Sequence, residues 1–399
     1  VISVDEARDH ILGACQQLAS RSLELQEALG CVAAEAVVAD EDVPPFANTA
    51  MDGYAVRAVD TQGAPVRLAV IATLAAGAAP DVEVGRGQAV RIMTGAPMPP
   101  GADAVVMVEH TRPLDGGATV VIEAAAGPGQ HVRGPGEDLR RGQTLFDAGT
   151  VLTPAHLGVL ASVGYQTVTV VPAARVGVLS TGDELVAGGG PLRPGQIRDS
   201  NRPTLLALTA QAGCLPVDLG LVGDDETALA GAVTRGVDTC DALVTSGGVS
   251  VGDFDYVKAV LDRLGTMKWW QVAVRPAKPL AFGSIGGTPV FGLPGNPVSS
   301  MVSFELFARP ALRQMMGHTV VDRPRVTAIA DEPLLRRGDG KLHLVRVVAA
   351  RGDDGGWHVR SSGGQGSHVL SAMARANALA LLPDGDGVAP GATVDVMLL

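Results

Sequence analysis

The chain has 399 residues, too many for one ordinary core, so at about 100–200 residues per domain it divides into two to four domains. Hydrophobic residues make up 46% and charged residues 18%, which excludes global disorder, and a net charge of −11 excludes a broadly basic nucleic-acid face while leaving room for a local cationic pocket. Four scattered cysteines without a CxxC pair exclude a structural zinc site and a disulfide framework, and no apolar run reaches the ~20 residues of a membrane helix. The acidic, amphipathic start VISVDEARDHI is unlike a signal peptide, so the expectation is a soluble cytoplasmic protein.

In chain order, the stretch from Val4 to about Ala39 reads as helical. Val4, Ala7, Ile11, Ala14, Cys15 and Leu18 follow three- and four-residue spacing, and Ser3 with Glu6 makes a capping box. A second helix is expected to follow Leu25 and end before DEDVPP. From Pro44 to about Gly136, short apolar runs broken by Gly and Pro (VRLAVIATL, QAVRIM, ADAVVMVE, ATVVIEAA) predict an all-β module. A helix with Pro154 in its first turn and the strand QTVTVV follow. From Arg175 to about Gly317 strand, loop and helix alternate, which predicts an α/β unit with a mainly parallel sheet, its ligand loops beyond the strands' carboxyl ends. After Val320, RVTAIA, KLHLVRVVAA, GWHVRSS, ALALLP and TVDVMLL predict a small β domain. The expected organisation is a multidomain α/β plus β protein: residues 1–43 with 139–171 as an N-terminal helical and linking domain, 44–138 β-rich, 172–318 α/β, and 319–399 C-terminal β.

The chemistry-bearing strings fall in the loops. TSGGVSVGD, from Thr245 to Asp253, follows an apolar strand. Its Ser246, Gly247, Gly248 and Ser250 suit either an anion cradle or a plain strand-to-helix connection. Arg275 and Lys278 in RPAKP suit a fixed oxyanion pocket or an exposed basic turn. In LPGNP, Asn296 is placed to cap a helix with Pro297 in its first turn, so Pro294, Gly295, Asn296 and the N–H groups before Ser299 face a ligand or solvent. Asp183, Glu184, Asp199, Asp224, Asp225, Glu226, Asp253 and Asp255 recur after strand ends, as caps or as a shared acidic site. Acids beside a phosphate require a hard cation such as Mg2+ between them. PPFANTAMDGYAV reads as a core-anchored hairpin, and Arg133 with Glu137 and Asp138 as a small charged cluster. HExxH and Walker A strings are absent, which argues against zinc-protease and P-loop readings.

Taken together these strings resemble the molybdopterin molybdenumtransferase family, the MoeA proteins and the gephyrin E-domain. PPFANTAMDGYAV, RIMTGAPMPPGADAVVMVE, GEDLRRG, VGVLSTGDELV, GQIRDSN, TSGGVSVGDFDYVK, VRPAKPLAFG and FGLPGNPVSSMVSF occur in family order from about Pro44 to Pro310, with QGSH near the C-terminus. The resemblance implies a central domain of the molybdopterin-binding type in an elongated, L-shaped homodimer of four-domain subunits. Its active cleft is expected between the α/β domain of one subunit and the AMDGYAV loop of the other. It also implies insertion of molybdate into adenylylated molybdopterin, with hydrolytic release of AMP and formation of molybdenum cofactor.

Residue by residue, Asp52 matches the acid of AMDGYAV, Thr94 the Thr of MTGAP, and Arg133 and Asp138 the charged loop that ends in GEDLRRG. Glu184, Asp225 and Asp255 match successive family acids and are expected to hold Mg2+ and water. Lys278 matches the second Lys of the family's KPGKP, where this chain has Arg275 for the first Lys and Ala277 for Gly. Arg346 and Ser367 align with groups that hold molybdate. Other molybdenum-cofactor biosynthesis or acceptor enzymes are the expected partners. The alternatives on the same fold are a non-catalytic molybdopterin-binding scaffold and a molybdopterin adenylyltransferase, which shares the GGVSVGD-type unit and lacks the long N-terminal modules.

Overall fold

The N-terminal helix forms where the three- and four-residue spacing places it. In the computed structural model, which describes residues 1–248 and 256–399, Val4–Ala14 is α-helical. The Ser3 hydroxyl accepts from the Glu6 N–H at 3.1 Å, and the Glu6 carboxylate accepts from the Ser3 N–H at 2.7 Å, so two otherwise orphan donors are met. Ala7 and Ile11 carry its apolar stripe into a core shared with Val176, Val178 and Phe304.

The helix expected beyond Leu25 does not form. Arg21–Glu24, Val32–Ala33 and Val37–Val38 are short strands instead, with a turn closed by Gly30 at φ +78°. Remote partners outweigh the local helix preference of Ala33, Ala34, Glu35 and Ala36. The N–H groups of Ala33, Ala34 and Ala39 donate to the carbonyls of Thr150, Thr169 and Gln143.

The described residues divide into two units: Ser22–Leu29 with Ala33–Thr169, and Val1–Arg21 with Gly30–Val32 and Val170–Leu399. The former holds a six-stranded sheet in the order Ala104–Met107, Gly53–Val56, Gln88–Ile92, Val66–Leu74, Thr119–Ile122, Thr111–Leu114. All its neighbours are antiparallel except Val66–Leu74 with Gln88–Ile92. Gly53 is required there: a Cβ on it would lie 2.1 Å from the Val106 carbonyl oxygen. This position makes the AMDGYAV run a buried strand with Asp52 just outside it.

The larger unit contains the α/β alternation. Its sheet runs Leu215–Val222, Arg175–Thr181, Ala242–Ser246, Thr288–Leu293, Pro279–Ile285, Thr266–Gln271. The first four strands are parallel and the last two antiparallel. Successive residues enter different cores: Val244 and Phe291 join one buried cluster, Leu243 and Val290 the other. Burial on both faces explains the near-continuous apolar runs. The register sets Ser180 opposite Ser246 and Ser246 opposite Leu293, so the three parallel strands end together.

In the C-terminal part, Leu342–Arg351 pairs with both Trp357–Ser361 and Ala378–Leu382. Arg325–Ala330 and Thr393–Leu398 complete the ring, giving a closed, barrel-like sheet without a free edge. The short strand Val274–Arg275 adds to Leu342–Arg351 and so ties the cation turn to this barrel. Among the described residues no helix is long and apolar enough to cross a membrane.

Candidate anion-binding cleft

Beyond the common ends of the parallel strands lies a cleft of about 720 Å³. It is built from the turns that follow each strand. After Arg175–Thr181, Gly182 takes φ +144°, and a Cβ there would lie 2.5 Å from a Glu184 carboxylate oxygen. Glycine therefore lets the exposed Glu184 fold back against the turn. After Ala242–Ser246, Gly247 takes φ +98°, and a Cβ on it would meet the Thr181 carbonyl oxygen at 2.8 Å. The two turns approach as closely as backbone permits.

Asn201 fastens the second turn to a third. Its Nδ2 donates to the Ser246 hydroxyl and to the Gly295 carbonyl, each at 2.7 Å. Because an amide nitrogen only donates, Ser246 Oγ accepts here and its own hydrogen remains available to another acceptor. Asp199, just before, is neutralised internally: Ser180 donates to it at 3.1 Å and Arg202 Nε at 3.0 Å, and Arg202 also bridges to Asp218. In the third turn Asn296 is the N-cap of Pro297–Ser303. The Asn296 carbonyl accepts from the Ser300 N–H at 2.9 Å while its side chain takes no part in the cap. The Val298 N–H donates to the Ser367 carbonyl at 3.1 Å, which docks the QGSH loop of the barrel on this helix start and brings His368 to the cleft rim.

Of the residues expected from sequence, Glu184, Ser246, Gly247, Gly248, Pro294, Gly295, Asn296 and Ser299 line this one cleft. Asp225 does not line it: its Oδ1 caps the helix Glu226–Thr239 by accepting from the Ala228 N–H at 2.7 Å, while Asp224 lines the wall. Ser250 and Asp255 lie outside the described residues, and among those described no three His, Cys, Asp or Glu side chains gather as a metal donor set. Arg275 and Lys278 are exposed on the turn that leads to Pro279, which lines the cleft. Between them Ala277 is buried at φ +85°, a conformation natural to glycine.

Arg346 has no solvent exposure. Its Nη2 donates to the Gly364 carbonyl at 2.8 Å, whereas Nε and Nη1 have no partner among the described residues. Gln365 clasps the Arg346 backbone from the same loop that carries Ser367, with bonds of 2.9 and 3.0 Å.

In the other unit, Asp52 and Thr94 meet across 42 positions of sequence. The Thr94 N–H and hydroxyl both donate to Asp52 Oδ1, at 2.6 and 2.7 Å, and with the nearby Arg91 they hold this carboxyl below its usual range. Arg133 lies on a strand paired with Asn48–Thr49, and the Asp138 N–H donates to the Val43 carbonyl at 2.9 Å. Among the described residues no ion pair joins Arg133 to Asp138.

Sequence reasoning missed Asn201, Arg198 and His368 as cleft-lining groups. The first two sit in the quoted GQIRDSN string, where a polar residue opening a helix just after a strand end was the available signal.

Three family models match the chain in tandem: "MoeA N-terminal region (domain I and II)" over residues 2–164, "Probable molybdopterin binding domain" over 177–314, and "MoeA C-terminal region (domain IV)" over 334–399. The chain is 38% identical over 401 aligned residues to the molybdopterin molybdenumtransferase of Haemophilus influenzae, covering 99% of this chain and 98% of that protein. It is 40% identical to molybdopterin molybdenumtransferase 2 of Mycobacterium tuberculosis, covering 94% and 93% of the two chains. The crystal structure of a molybdopterin biosynthesis MoeA protein of Pyrococcus horikoshii superposes with a TM-score of 0.80 at 30% identity, covering 100% of this chain and 99% of the other.

Proposed function

The chain belongs to the molybdopterin molybdenumtransferase (MoeA) family, and from that premise we propose how its cleft inserts molybdenum into molybdopterin. The enzyme is a transferase of molybdenum cofactor biosynthesis. Its substrates are adenylylated molybdopterin and molybdate, and the reaction releases AMP. The observation that carries this reading is the junction at Asn201, which holds the TSGG and LPGNP turns on one cleft. Turns of this kind offer N–H and hydroxyl donors to phosphate oxygens.

Breaking the pyrophosphate between AMP and the pterin needs an oriented oxygen nucleophile and relief of negative charge. The Ser246 hydroxyl, with its acceptor role already filled by Asn201, donates to a phosphate oxygen. Glu184, exposed in the same cleft, orients the attacking water. Mg2+ is ordinarily held by one or two carboxylates together with substrate phosphates, and Glu184 is such a carboxylate in the cleft. Glu184 would hold it; Asp225, expected beside it, caps a helix outside the cleft lining, and Asp255, expected as the third carboxylate, lies outside the described residues. When bound, the ion supplies charge neutralisation on the phosphate oxygens. Arg275 and Lys278, exposed on the turn that leads into the cleft at Pro279, attract the molybdate dianion, with the charge of Arg346 and the hydroxyl of Ser367 on the barrel side.

We further propose a cytoplasmic homodimer in which the Asp52 and Thr94 loop of one subunit acts with the cleft of its partner, in support of which stands the family resemblance. A scaffold or adenylyltransferase reading is not favoured, because relatives named as transferases align with the chain almost end to end. The test is AMP release from adenylylated molybdopterin with and without molybdate. AMP release that accompanies cofactor formation is expected, and a protein that binds both substrates without releasing AMP sinks the enzyme reading.

A further inference from the structure

We infer that Arg198 is a ligand-contacting cation of this cleft, gripping a phosphate of the anionic substrate, an assignment that rests on the proposed use of the cleft. The short strand Ile197–Arg198 pairs in parallel with Leu185–Val186, so Arg198 is held beside the turn that carries Glu184. Its Nη2 donates to the Gly190 carbonyl, which fixes the guanidinium in place. Its Nη1 is buried and has no partner among the described residues, although Arg198 lines the cleft. A buried guanidinium nitrogen left without an acceptor is costly, and an oxyanion removes that cost.

The charges on the wall point the same way. The lining includes Glu184, Asp199 and Asp224, and Arg198 is the single Lys or Arg among the described lining residues. Asp199 is already answered by Arg202 at 3.0 Å, so Glu184 and Asp224 remain as negative charge facing any phosphate. Arg198 is the cation nearest to hand, and a fork anchored at one prong presents the other with little loss of freedom. It differs from Arg275 and Lys278, which stand exposed on their turn outside the wall.

The test uses the full chain, with inorganic pyrophosphate and AMP as probes in calorimetric titrations at one fixed ionic strength. Arg198→Gln should weaken pyrophosphate binding about tenfold or more, the effect of one lost charge-assisted hydrogen bond. In turnover of adenylylated molybdopterin it should raise KM more than it lowers kcat. Where the Gln variant does not fold, Arg198→Lys keeps the charge and stem. A lysine lacks the two separate nitrogens that let the fork hold Gly190 with one prong and reach the ligand with the other, so its pyrophosphate affinity should fall severalfold. Wild-type affinity in either folded variant overturns the assignment. The two readings separate cleanly: an active wild type with an unaffected Arg198→Gln removes only the role of Arg198. Arg198-dependent pyrophosphate binding in a protein that never releases AMP removes only the enzyme reading.

Discussion

Asp225 caps a helix and is proposed to help hold an ion, and substitution separates the two. Its Oδ1 caps a helix, and Asn caps as well as Asp, so Asp225→Asn should keep the fold while removing the charge proposed for the ion. Turnover should then fall strongly while the urea midpoint barely moves. Asp225→Ala should also cost about 1 kcal/mol of stability from the lost cap. Full turnover in the Asn variant would show that this carboxylate has no part in the chemistry. Ala277 poses a second question at this scale. A left-handed conformation costs a non-glycine residue roughly 1–2 kcal/mol. Glycine would relieve that but give up about 0.5–1 kcal/mol of chain entropy and about 0.8 kcal/mol of methyl burial. The terms nearly cancel, so Ala277→Gly should shift the urea midpoint little. Ala277→Val, with a branched Cβ at φ +85°, should be markedly less stable, and a Val variant as stable as wild type contradicts the strain.

Among the elements, the helical run from Pro297 to Met315 ties the cleft to the core. It is α-helical over Pro297–Ser303, π-helical over Phe304–Ala308 and α-helical again over Arg309–Met315. Pro310 has no N–H for the Leu306 carbonyl one turn back, and Arg8 of the N-terminal helix donates to that carbonyl at 2.8 Å instead. In the same π segment Glu305 is buried and takes two bonds from Arg323, at 2.9 and 2.8 Å. Removing one partner of such a pair strands the other, so Glu305→Ala should cost about 3–5 kcal/mol in urea unfolding. A cost below 1 kcal/mol would mean that Arg323 finds water.

His318, just past this helix, is held down to about 4 by burial and then by Arg313 and Arg309, from an ordinary 6.5. The folded chain therefore stays neutral there while the unfolded chain takes up a proton. Stability contributed by the neutral ring is complete above pH 6.5 and is lost as pH falls toward 4, at up to about 1.4 kcal/mol per pH unit. His318→Leu should flatten that part of the pH–stability profile, and an unchanged slope would place the titration elsewhere.

For the whole molecule, the proposed dimer makes a prediction that no single chain can meet. If Asp52 of one subunit acts with Glu184 of its partner, Asp52→Asn and Glu184→Gln chains are each inactive alone. Mixed and reassembled, they should recover part of the wild-type rate, because one of the two clefts in each hybrid receives both intact groups. A fully active monomer in sedimentation, or no recovery in verified hybrids, would falsify the shared-cleft arrangement.

Local pattern was enough for the capped first helix, for the strand–loop–helix rhythm from Arg175 onward, and for the strands of the C-terminal barrel. In each, periodicity and turn residues agree with the packing, and burial only confirms what spacing already favours. The order of the loops TGDEL, TSGG and LPGNP after successive strands also implied one cleft, since parallel strands end on one side. Tertiary structure decided the rest. Asn201 reaches Ser246 and Gly295 across 45 and 94 positions, and no spacing rule encodes that pair of bonds. The segment after Leu25 turned from helix to short strands because its N–H groups found distant carbonyls, and residue preferences of a few tenths of a kcal/mol cannot resist that. Residue types and their order thus determined which chemistry the chain carries. The long-range hydrogen bonds, whose partners only folding brings within about 3 Å, decided which groups line the cleft and which are spent holding the turns.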